Sequence, residues 1–269
     1  VGVWGGIDLV VKPPLRRADF EAITLIGAGE YEAIFLNLPR CLQRHVTKLA
    51  ETGDVEGFIE GAKTGSGLSE SYLTSLIRGH ETFLRLLPRV SAGREIICYS
   101  PNPTDEEIRA TLELPSLILR DSVTKTVSLE QWLSIVEEMV EFGKSKLEEE
   151  VEFILREAGR FKSSACICDP GAAVSLKKHL QKKTLTRILY TVLPYRFTPL
   201  QTLLRLYQQK PLPASEVEEH VKQHIGFVQK YIVPLGLEEG LEAWTEKELR
   251  WLQGRPDKPP AHPPTPSET

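Results

Sequence analysis

The most chemically suggestive residues lie where short apolar runs stop. Asp169-Pro170-Gly171-Ala172-Ala173 follows the run Ala165 to Cys168, and its small side chains leave a helix N-terminus open to an anion. The aspartate can itself cap that turn and repel an anion, so a plain cap competes with a phosphate site. Other polar residues stand at comparable points: Gly5, Gly6 and Asp8 in the first run, Asn37 and Arg40 at the second, Ser100 and Asn102 at the third, Tyr195 and Arg196 at the last. In an open parallel sheet such positions meet in one crevice beyond the strand carboxyl ends. Asp8, Asn37, Arg40, Asn102, Asp169, Gly171 and Arg196 are therefore the expected lining of a site for a small anionic ligand such as a nucleotide. Turns and caps recruit the same residue types on backbone grounds alone, and that reading stands beside it.

Sharper catalytic signatures are missing from the chain: there is no GxGxxG, Walker lysine loop, GxSxG or HExxH, and no cysteine with a placed histidine. His220 and His224 share a helix face at metal-ligand spacing, but no third ligand is evident and Val217, Val221, Ile225 and Val228 border them, which favours packing. No metal site is expected and no cofactor is identified. His80 falls on an apolar stripe as a core histidine. Cys166 and Cys168 are expected as packing residues on opposite faces of a strand, and Glu137, Glu138 and Glu148 to Glu150 as a solvated helix surface. Two alternatives to ligand binding stay open: metal-assisted hydrolysis by Asp8 and Asp169 with a further ligand, and a protein-interaction module built on long helices.

These residues need a scaffold, and the runs supply one. Short apolar segments alternate with helical patterns, which predicts an α/β fold with a mainly parallel sheet and crossing helices. The expected strands are the opening run to Val11, Ala33 to Leu38, Glu95 to Tyr99, Leu117 to Leu119, Ala165 to Cys168 and Arg187 to Leu193. Capping boxes are read at Thr104–Glu107, Ser128–Gln131, Ser215–Glu218 and Thr245–Glu248, and Thr198-Pro199 marks another helix start. The expected organisation is an α/β domain over 1–211 with a helical insertion at about 41–92, a C-terminal helical appendage over 212–252 and a disordered proline-rich tail over 253–269. A helix from Ser128 to about Arg160 would span on the order of 45 Å, long enough to reach a second subunit, so a homo-oligomer through the long helices is an expectation.

The chain has 269 residues, 41% hydrophobic and 26% charged, which excludes collagenous and wholly disordered classes. A net charge of −4 argues against general affinity for nucleic acid or anionic membrane. Residues 163 to 211, however, hold eight basic groups against Asp169 alone, so a polyphosphate, nucleotide or RNA partner competes with a solvated basic face or one paired to the acidic 126–160 segment. No run of about 18 apolar residues and no charged leader is seen, and Cys41, Cys98, Cys166 and Cys168 read as reduced thiols, so a cytoplasmic, unanchored protein is expected. The chain opens on Val1 and Met139 is its only methionine, so an upstream strand could precede it. Its only asparagines are Asn37 and Asn102, and this scarcity, with the single methionine, is compatible with a thermophilic or a GC-rich source.

The order of elements, with EAIFLNLPRCLQRHVTKL at 32–49, EIICYS at 95–100, FILREAGRF at 153–161 and CICDPGAAVSLKKHL at 166–180, resembles the superfamily grouping TraB, ChaN and erythromycin-esterase-like proteins. The resemblance covers roughly residues 1 to 195. It implies a crevice where strand-end histidines and an acidic residue meet, sometimes with a metal. Here Gly6-Ile7-Asp8 stands at the first histidine position, Asn37 at the acid, and Ala173-Val174 at the late histidine. Asp8, Arg156 and Glu157 keep ionisable groups near equivalent places. The resemblance with these losses implies a degenerate, non-catalytic binding domain.

Overall fold

A computed structural model describes residues 6–249. The apolar runs form five strands: β1 (Gly6–Val11), β2 (Ala33–Pro39), β3 (Glu95–Ser100), β4 (Ser163–Cys168) and β5 (Thr186–Tyr190). They pair in parallel throughout, in the order β3-β2-β4-β1-β5. Helices cover both faces, so a central strand such as β1 is buried at consecutive positions from Ile7 to Val11 instead of alternating.

The connections travel out on one face and back on the other. Helix α1 (Arg16–Ala28) leads from β1 to β2, and α2 (Gln43–Thr52), α3 (Val55–Gly65), α4 (Glu70–Leu86) and α5 (Pro88–Ser91) lead from β2 to β3. Their apolar sides share a core with Val10, Ile34, Leu36, Ile96 and Ile167 of the sheet. Helices α6 (Asp105–Thr124) and α7 (Leu129–Ala158) precede β4, and α8 (Ala173–Leu180) follows it. Ile154, Leu155, Leu176 and Leu180 close the opposite face over Leu9, Phe35, Tyr99 and Cys166. Strand β4 thus sits between β2 and β1, whose outgoing chains leave toward the other face. Such a reversal opens a crevice at the strand's carboxyl end.

Leu117 to Leu119 is not a strand. It lies inside α6, because Leu114, Leu117 and Ile118 form one helical stripe packed against α7. A short apolar run is ambiguous between strand and helix; the capping box formed by Thr104 and Glu107 resolves it for helix. Thr198 and Gln201 form a second box, opening α9 (Pro199–Gln209). Ser128 gives its hydroxyl to Asp121 instead of capping; α10 (Ala214–Phe227) starts ahead of Ser215, behind Pro213; and Thr245 lies inside α12 (Leu237–Leu249). Cys166 and Cys168 face the same core, as the two-residue period of a strand requires.

Helix α7 has 30 residues and uses its whole length within the chain. Its first half, through Trp132, Ile135 and Val136, packs with α6, α9 and α10, and its second half packs on the sheet. A turn of π-helix (Val228–Ile232) and α11 (Val233–Leu235) carry the chain from α10 to α12, where Phe227, Tyr231 and Trp244 cluster against Leu15. Gly5 and the 253–269 segment lie outside the described residues. Among the described residues no helix is long and apolar enough to cross a membrane.

Candidate functional site

Beyond Cys168 the chain turns on its own backbone: the Asp169 carbonyl accepts from the amides of Ala172 and Ala173 at 3.0 and 3.1 Å. The start of α8 therefore needs no aspartate side chain, and Ala172 opens the helix without a side-chain cap. The freed carboxylate reaches across to β2 and accepts from Asn37 Nδ2 at 2.8 Å. Two uses of Asp169, cap or site, compete in the sequence; in the fold its side chain makes no cap hydrogen bond to α8.

Asn37 and Asp169 line a cavity of about 360 Å³ with Gly171 and Ser175 of the α8 turn and with Lys146 and Glu150 of α7. Lys144 and Gln208 complete its rim. The chain matches no family model, no curated protein and no solved structure.

Two carboxyl groups in this cavity hold protons unusually well. Burial pushes Glu150 up to about 6, the Asp169 charge adds to the shift, and the Ser100 hydroxyl and Lys146 hold it back. Ser100 Oγ donates to Glu150 Oε1 at 2.7 Å. Asp169 is exposed at the cavity mouth, yet desolvation by the protein around it raises its carboxyl above the usual range, with Lys12, Lys146 and the Asn37 hydrogen bond offsetting part of the rise. Carboxyls shifted this way in a concave site make it a candidate functional site.

Lys12 directly follows β1, its amide donating to the Cys168 carbonyl at 2.9 Å, and its charge acts on Asp169. Its side chain is buried, with Nζ 2.7 Å from Asp19 Oδ1 and 5.7 Å from the centre of the Phe83 ring. Burial raises the Asp19 carboxyl, and Lys12 offsets part of that. His80 is pushed down to about 3, first by burial and then by Lys12, so its ring is neutral at physiological pH.

The seven expected lining residues separate. Asn37, Asp169 and Gly171 meet in the cavity. Arg40 and Asn102 flank it on the β3 side in structural roles: Arg40 lies over the Phe153 ring, pairs with Glu149 and donates to the Tyr99 carbonyl, while Asn102 accepts from the Cys41 amide at 2.8 Å. Asp8 and Arg196 are elsewhere. Asp8 lies in the first half of β1, opposite Ala165, roughly 13 Å along the sheet from Asp169 at ~3.3 Å per residue. It is clamped by Arg187 and by Tyr31 at 2.8 Å; burial alone would raise its pKa, but these partners lower it. Arg196 stacks on Trp244 at 4.0 Å in a second cavity with Phe227 and Tyr231. Asp8 and Asp169 therefore do not share one ion, and among the described residues no three His, Cys, Asp or Glu side chains are grouped to hold a metal.

Glu150 belongs to the solvated-helix reading in the sequence, yet it is buried. A signal for it exists: Glu150 lies three residues after Leu147 and four before Ile154, both on the sheet-facing stripe of α7.

Proposed function

We propose that the chain binds a small phosphorylated, hydroxyl-bearing ligand, such as a nucleotide or sugar phosphate, at the carboxyl end of β4. The observation that carries this reading is the Asn37 to Asp169 hydrogen bond, which holds the carboxylate off the α8 N-terminus. The Asp169 carbonyl takes the Ala172 and Ala173 amides, and with no side-chain cap the next amides, of Val174 and Ser175, suit an anion, with Lys144 and Lys146 on the adjacent wall. Asp169 and Glu150 suit hydroxyl donors of the same ligand, since carboxyl groups accept strongly from them. The resemblance to TraB and ChaN proteins adds no residue to this reading, because Asp8 is held by Arg187 and Tyr31.

Thermal shifts with AMP, ATP, ribose 5-phosphate and inorganic phosphate test it. A ligand at 100 times its Kd adds ~2.7 kcal/mol of stability, a shift of several degrees. At least one phosphorylated compound is expected to stabilise the wild type, with the shift reduced in Lys146→Ala and Asp169→Asn and unchanged in Arg196→Ala. No shift from any compound, or equal shifts in the cavity variants, would sink the proposal.

A further inference from the structure

The two edges of the sheet are treated differently. On the β3 edge, Gln43 of α2 lies along the strand: its Nε2 donates to the Ile96 carbonyl and its Oε1 accepts from the Cys98 amide, both at 2.7 Å. That carboxamide occupies the groups a further strand would use, a recognised way of protecting an edge.

Among the described residues, no side chain or strand bonds to the outer edge of β5. Ile7 donates to the Leu185 carbonyl at 2.9 Å and Thr191 to the Val11 carbonyl at 3.2 Å, so the odd-numbered residues from 185 to 191 face β1. By the two-residue period, Thr186, Ile188 and Tyr190 turn their amides and carbonyls outward. Among the described residues, nothing donates to or accepts from those backbone groups. The strand is Thr-Arg-Ile-Leu-Tyr, with no proline or glycine to spoil pairing. Its one charge, Arg187, is drawn over the sheet face by Asp8 at 2.7 and 2.6 Å and leaves the edge unguarded. Leu185 and Leu193, 73% and 71% exposed, bracket it.

We infer that β5 is a homodimer interface in which two copies pair antiparallel, edge to edge, and join their sheets. The occupant is a second copy because the edge is self-complementary about Ile188. A two-fold axis there sets Thr186 opposite Tyr190 and Ile188 opposite Ile188, so each outward residue exchanges both backbone bonds with its counterpart. Arg187 falls opposite Leu189, which avoids setting like charges face to face. The Lys182-Lys183 turns go to opposite ends of the paired strands, and Leu185 of each copy meets the 191–193 segment of the other.

Light scattering of the full chain after gel filtration is the test. The wild type is expected at twice the 30.2 kDa chain mass. Tyr190→Pro removes an outward donor while sparing the bonds to β1, and is expected at the single-chain mass with unchanged circular dichroism. As a check independent of that variant's folding, Ile188→Cys sets two Cα atoms about 5.5 Å apart, within disulfide reach, and should link covalently on mild oxidation, whereas Phe20→Cys on α1 should not. A wild type at single-chain mass at ~0.1 mM, whether or not it takes up an extended peptide, would overturn the inference. So would a dimer that persists in Tyr190→Pro with its fold intact, or an Ile188→Cys chain that fails to link.

Discussion

Ser100, the last residue of β3, donates its hydroxyl to Glu150 of α7 at 2.7 Å, fixing a buried carboxyl in the wall of the cavity that Asp169 also lines. Because the folded-state pKa of Glu150 is raised to about 6, the folded protein binds this proton more tightly than the unfolded chain does. Its contribution is fully present below the unfolded value of about 4.3 and is lost as pH rises through about 6. The ionised group then costs about 2 kcal/mol. Glu150→Gln, which keeps an acceptor for Ser100, is expected to be more stable than wild type at pH 7.5 and to show little difference at pH 4.5. Urea melts at both pH values check it.

Asn37 holds Asp169 away from α8, so removing it frees the carboxylate to cap the helix. Asn37→Ala is expected to cost little stability, a cap of ~1 kcal/mol offsetting the lost hydrogen bond. It should nevertheless weaken binding of any phosphorylated ligand about tenfold, since the anion then meets a carboxylate in its place. Calorimetric titration beside a thermal melt separates the two effects.

Lys12 and Asp19 form a buried pair at 2.7 Å. Lys12→Met strands the carboxylate and is expected to cost about 3–5 kcal/mol. In the double variant Lys12→Met, Asp19→Leu no charge is left behind, and most of that loss should return. A double-mutant cycle in denaturant shows whether it does.

Asp121 joins α6 to α7, accepting from the Ser128 amide at 2.8 Å, the Ser128 hydroxyl at 3.0 Å and the Trp132 indole at 2.9 Å. Burial would raise its pKa, but these bonds lower it below the usual value. Its stabilisation is therefore present above the unfolded pKa of about 3.9 and lost as pH falls through the lower folded value. Asp121→Ala is expected to lose about 3 kcal/mol at pH 7, with the gap to wild type narrowing below pH ~4.

The sheet was legible because strands buried on both faces leave short unbroken apolar runs, and the meeting of Asp169 with Asn37 was legible because parallel strands deliver their ends to one edge. Asp8 was misplaced because its position within the run, near the amino end of β1, matters more than its membership of that run. The α6 stripe read as a strand because three consecutive apolar residues carry no period of their own. Glu150, Lys146 and the Lys12–Asp19 pair come from elements whose facing depends on tertiary packing: an acid on a charged helix is buried only once α7 lies on the sheet. Arg196 follows β5, but aromatic residues from the last helices draw it aside, and no local pattern announces that contact.

A phosphorylated ligand in the cavity beside Asp169 would leave a residue-resolved signature. Amide and side-chain NMR spectra of the full chain, titrated with the most stabilising of the four phosphate compounds, test it most directly. Shifts are expected in the Asn37 carboxamide and in the amides from Gly171 to Ser175. Shifts confined to the Trp244 indole and its neighbours, or spectra unchanged at saturating compound, would contradict it.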